Sequence, residues 1–84
     1  MNESETTRRT DAELITIIDE NVAWSVRDEF GTVVEWAASL RGALAIVADV
    51  EREGRKIVAL SQGQDDRIIV FRGQIERLRA AAGE

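Results

Sequence analysis

The chain has 84 residues, 44% of them hydrophobic, and a formal net charge of −5 at pH 7. That is enough for one domain and no more. With no cysteine and no histidine, it builds neither a disulfide framework nor a thiolate metal site, and it lacks the commonest general base and transition-metal ligand.

The charge is uneven. Residues 1–54 hold twelve acids and five bases, whereas residues 55–84 hold four acids and six bases. An acidic whole argues against general nucleic-acid binding, because phosphate contacts need local positive charge. A basic strip in the last third stays open. No apolar run is long enough to span a bilayer, and Met1-Asn2-Glu3-Ser4-Glu5 lacks the charged and apolar regions of a signal peptide. The expected setting is the cytoplasm of a bacterium or its phage, away from membranes.

Residues 1–10 are polar and aperiodic and read as a disordered tail, leaving 11–84 as a single small domain. Two readings compete over residues 11–20. Thr10-Asp11-Ala12-Glu13 fits a helix capping box, and Leu14, Ile17 and Ile18 have helical spacing. Against that, Leu14-Ile15-Thr16-Ile17-Ile18 is short and rich in β-branched residues, and Asp19-Glu20-Asn21 follows as a turn. The short length favours a first strand.

Residues 22–36 read as a β-hairpin. Val22, Trp24 and Val26 alternate with Ala23, Ser25 and Arg27. Asp28 suits the start of a type I turn, and Gly31 suits the left-handed residue that closes a three-residue loop. That register pairs Asp28 with Thr32, Val26 with Val34 and Trp24 with Trp36. One face then carries Val22, Trp24, Val26, Val34 and Trp36. The other carries Ser25, Arg27, Val33 and Glu35. A stacked Trp24–Trp36 pair contributes about 0.5–1.5 kcal/mol beyond area burial, so the tryptophans read as core and not as a ligand platform.

After Trp36 the period changes to that of a helix. Ser39 is a good N-cap, Leu40, Ala43, Leu44, Val47 and Val50 make one stripe, and Gly54 is the stop. This helix is the natural lid for the tryptophan face. Gly42, inside it, costs about 1 kcal/mol relative to alanine. Residues 56–61 and 67–71 form a second hairpin, apolar on both faces. A second cover is therefore expected, and residues 73–82, with Ile75, Leu78 and Ala82 on one helical face, are the candidate. The expected order is β-β-β-α-β-β-α: an α+β, two-layer antiparallel sheet with one main helix on one face.

Ile15-Thr16-Ile17-Ile18, Val22-Ala23-Trp24-Ser25-Val26-Arg27, Ser39-Leu40-Arg41-Gly42-Ala43-Leu44 and Val58-Ala59-Leu60 together resemble a family of short bacterial domains of unknown function. Those domains place a Trp-x-Val strand before a Ser- or Thr-opened helix and end on a hairpin. The resemblance covers residues 14–71 and implies a fold but no catalytic residues. The helix after Phe71 departs from it.

Chemistry-bearing groups are sparse. Asp65-Asp66 sits in a loop without EF-hand spacing, and Asp19-Glu20 and Asp28-Glu29 are turns of the same kind. Ser61-Gln62-Gly63-Gln64 lacks the phosphate-loop pattern and precedes a strand. Ser61 has no histidine to activate it. No enzyme, cofactor or metal is expected. Arg67, Arg72, Arg77 and Arg79 are the one basic cluster, open to phosphate or an acidic partner, with pairing to the protein's own acids the favoured reading.

The leading expectation is a non-catalytic protein-interaction domain that forms a homodimer, because its apolar strands exceed what one helix covers. The candidate interaction residues are Ser25, Arg27, Val33, Glu35, Arg67, Arg72, Arg77 and Arg79. Two alternatives stand beside it. One is a nucleic-acid-associated regulator using the arginine strip. The other is an acidic accessory or inhibitor protein that meets a basic partner through residues 1–54.

Overall fold

The computed structural model describes residues 8–65 and 67–83. Their order is α1 (Asp11–Thr16), β1 (Trp24–Asp28), β2 (Val33–Ala37), α2 (Leu40–Arg52), β3 (Ile57–Gln62), β4 (Ile69–Phe71) and α3 (Arg72–Ala81). The four strands form one antiparallel sheet in the order β2-β1-β3-β4. The α+β class and antiparallel sheet expected from the sequence are therefore present.

The first element is a helix, not the expected strand. Thr10 Oγ1 accepts from the Glu13 amide, and the Glu13 carboxylate accepts from the Thr10 amide, closing the capping box. A six-residue helix has little stability alone, so tertiary packing decides the matter. Leu14 and Ile18, one turn apart, are both buried in the core. Asp11 is tied to Arg77 and Gln74 of α3.

Of the tail expected over residues 1–10, residues 1–7 lie outside the described residues. The next three make contacts. The Arg8 guanidinium lies 4.6 Å from the Phe71 ring centroid, and the Arg9 carbonyl accepts from Gln74 Nε2 at 2.6 Å.

Ser39 caps α2 by accepting the Gly42 amide at 3.1 Å. The stripe Leu40, Ala43, Leu44, Val47 and Val50 is buried throughout. It packs on Trp24, Val26, Leu60 and Val70 in a single core that also takes Ile75 and Leu78 of α3. Arg72 and Arg79 of α3 both reach Glu51 of α2. All three helices thus cover the same face of the sheet, and α3 is not the second cover the sequence suggested.

The turn of the first hairpin follows the expected chemistry. Asp28 and Thr32 pair through a 3.0 Å hydrogen bond, and Gly31 has φ 80°. Asp28 Oδ1 accepts the amides of Phe30 and Thr32, each at 2.9 Å. Arg27 faces Val33 as expected. One step further the register shifts. Val34 is an extra residue opposite the Val26/Arg27 step, so Val26 faces Glu35, Ser25 faces Trp36 and Trp24 faces Ala37. A single-residue bulge inverts every later side chain of its strand. Trp36 therefore turns away from Trp24, and Glu35 turns to the helix side. The expected tryptophan pair does not form.

Candidate interaction surface

The sheet face without helices can be read strand by strand from the register. Directly opposed residues on adjacent strands share a face. One row runs Trp36, Ser25, Ser61, Ile69 across the four strands. The next runs Val33, Arg27, Ala59, Phe71. The opposite face carries Val26, Leu60 and Val70, all fully buried beneath the helices.

The two rows have bulky apolar residues on the outer strands, with Ser25, Ser61, Ala59 and the polar Arg27 in the middle. Trp36 is 47% exposed, Phe71 41% and Val33 37%. Between them Ser25 and Ser61 are buried. Ser25 Oγ donates to the Ser61 carbonyl at 3.5 Å and accepts from Arg27 Nε at 3.4 Å. Arg27 thus reaches along the sheet to Ser25, whose cross-strand partner is Trp36. At the far corner Arg8 stacks on Phe71. The charged side chains that the register and this stacking place on the face are both cations.

Beyond this face, at the tip of the β1–β2 hairpin, Phe30 is 83% exposed. It is the most exposed large apolar side chain among the described residues.

Of the candidate residues from the sequence, Arg27 and Val33 are on this surface, and Ser25 lies beneath it, fully buried. Glu35 is not on it, because of the Val34 bulge. It lines a cleft of about 370 Å³ between β2 and the end of α2, with Val34, Ile46 and Val50 as the apolar lining and Asp49 and Glu53 nearby. Arg67 is exposed in the segment before β4. The other three arginines belong to internal ion pairs. Arg72 bonds Glu51 and the Ile57 carbonyl and pairs with Glu76. Arg79 pairs with Glu51 at 3.6 Å, and Arg77 with Asp11 at 2.6 Å. Trp36, which the sequence placed in the core opposite Trp24, and Ala59, Ile69 and Phe71 are not among those candidates. For the last three the signal available was the two-sided apolar character of the second hairpin.

These pairs set the titration of their acids. Burial pushes the Glu51 carboxyl up, but the hydrogen bonds from Arg72 and the Ile57 amide, with the charges of Arg72 and Arg79, hold it below the usual range. The Arg77 hydrogen bond does the same for Asp11 against a smaller burial effect. The Glu51 hydrogen bond raises Arg72 further. Among the described residues no group of three or more acids is placed to hold a metal ion, and no helix is long and apolar enough to cross a membrane.

No family model, curated protein or solved structure matches the chain.

Proposed function

We propose that the protein is a small non-catalytic interaction domain that works as a homodimer, with the helix-free sheet face as its contact surface. One observation carries this reading: Trp36, Val33 and Phe71 are substantially exposed on one face of one sheet. Large apolar side chains left exposed on one sheet face are a mark of a partner site, and aromatic residues are the usual anchors of such contacts. A closed two-fold dimer is the commonest way for a soluble chain to bury them. The setting proposed is the cytoplasm, where a cysteine-free domain folds without staples. The likeness to short bacterial domains with a Trp-x-Val strand supports a fold and adds no activity.

Sedimentation equilibrium tests the proposal. A dimer is expected at concentrations on the order of tens of micromolar, weakened by Trp36→Ser. A wild-type protein that stays monomeric there overturns it.

A further inference from the structure

On the helix side, the sheet has an open edge. β2 is an outermost strand, paired to β1 alone. On α2, Ile46, Asp49, Val50 and Glu53 share one face by their i, i+3, i+4, i+7 spacing. That face is turned from Glu51, which meets α3. The cleft of about 370 Å³ lies between it and β2, so the cleft follows the free edge of the sheet.

The bulge shapes this cleft. A regular strand sends successive side chains to opposite faces. Here the consecutive residues Val34 and Glu35 both line the cleft, because a bulge re-aims a side chain. Val34, Ile46 and Val50 make an apolar floor that packs on the core. Glu35, Asp49 and Glu53 stand exposed around that floor. Arg55 is the one cation of the lining among the described residues. Arg52 meets Asp49 at 3.4 Å, with both side chains mostly in solvent.

We infer that this groove docks an extended basic segment of a protein partner, laid along the free edge of β2 with arginine side chains at alternate positions entering the cleft. The groove is apart from the helix-free face, so this reading does not depend on the homodimer. Three features select the occupant. An edge strand offers unpaired main-chain groups to an added strand, whose alternate side chains then fall on the groove side. An arginine brings an aliphatic stem for the apolar floor and a guanidinium that carboxylates accept in two-pronged fashion. The lining sets three carboxylates against one cation. The chain's own terminal segment does not match, since residues 1–7 hold two glutamates and no lysine or arginine. Arg8, which follows them, stacks on Phe71 at the opposite edge of the sheet. A second copy would bring the same acidic edge, and like charges directly opposed are destabilising.

The test is amide NMR on the full chain, titrated with the end-capped peptide Ser-Arg-Val-Arg-Val-Arg-Ser. The control is Ser-Arg-Arg-Arg-Val-Val-Ser, of equal charge and composition but without the alternation. Saturable shifts are expected over residues 34–37 and 46–55. The alternating peptide should bind about threefold or more tighter than the control, and the double variant Glu35→Gln, Glu53→Gln should weaken it by about threefold or more. Both glutamates are exposed, so the variant folds, which far-ultraviolet circular dichroism checks. No saturable shift up to about 1 mM peptide, or shifts centred on another surface, overturns the inference. Equal binding of the two peptides, or of wild type and variant, reduces the effect to general charge attraction and overturns it too. Stronger self-association of the variant in sedimentation equilibrium, with no peptide bound, assigns the groove to a second copy and overturns the peptide reading.

Discussion

Trp24 and Trp36 stand on opposite faces of one two-stranded ribbon, Trp24 fully buried and Trp36 47% exposed. The cause is the extra residue at Val34. The consequence is that two residues of one type carry different burdens. Trp24→Ala removes a large buried ring and should cost about 3–5 kcal/mol. Trp36→Ser should change the stability of the monomer by less than about 1 kcal/mol. Trp24 Nε1 has no acceptor among the described residues, so Trp24→Phe loses volume but also an unsatisfied donor and should cost less than Trp24→Ala. Urea denaturation measures all three, and iodide quenching should reach Trp36 alone.

That relationship also marks how far the sequence could be read. Ser39 and the stripe to Val50 were legible because a capping residue and a five-position period agree, and every stripe residue is buried. The Asp28–Gly31 turn was legible because its residues match its dihedral angles. The Val34 bulge was not. Val33 and Val34 are equally apolar, so either phase of alternation satisfies the strand, and edge strand β2 tolerates the extra residue. The first helix showed its capping box, but its identity depended on Asp11, Leu14 and Ile18 finding α3 and the core, which is tertiary information. The helix-free face was half legible: the register keeps Arg27 and Val33 on it with Ser25 buried beneath, while the bulge takes Glu35 off it and brings Trp36 onto it.

Glu51 ties α2 to α3 and β3. Its carboxylate accepts from Arg72 and from the Ile57 amide and pairs with Arg79. Glu51→Gln should cost about 1–3 kcal/mol at neutral pH, the range for hydrogen bonds to charged groups. The pH dependence has a definite sign. The folded-state pKa is depressed, so the stabilisation is complete above the unfolded value, near 4.5, and is lost as pH falls through the folded pKa. The melting temperature should drop on acidification below about pH 4.5. Glu51→Gln should flatten that decline without removing it, since Asp11 and Asp19 are depressed in the same direction by Arg77 and Arg41.

Three arginines of the basic cluster serve the fold. Arg72, Arg77 and Arg79 meet Glu51, Glu76 and Asp11, which leaves their charge largely compensated. A labelled DNA or RNA duplex should therefore give no anisotropy change with micromolar protein at low salt, where any phosphate-driven binding is strongest. The double change Arg77→Glu and Arg79→Glu should register as lost stability. Its Arg77 share should be small, because the Arg77–Asp11 pair is exposed to solvent. A salt-sensitive complex that this double change abolishes would restore the nucleic-acid reading.

Gly42 offers a gain. It lies in the first turn of α2, where its amide completes the Ser39 cap. A methyl group added there would meet Ser39 Oγ at 3.4 Å and Ala37 Cβ at 3.6 Å, ordinary contact distances. Glycine is therefore not required by space, and its backbone is not in the left-handed region that Gly31, Gly54 and Gly63 occupy. Alanine lowers the entropy lost when the helix forms, by about 0.5–1 kcal/mol, and its methyl adds contact with Ala37. Gly42→Ala should raise the urea midpoint by an amount in that range with an unchanged slope. Gly31→Ala is the control. At φ 80° a Cβ is strained by about 1–2 kcal/mol, so that substitution should lower the midpoint even though nothing lies within 4 Å of the new atom.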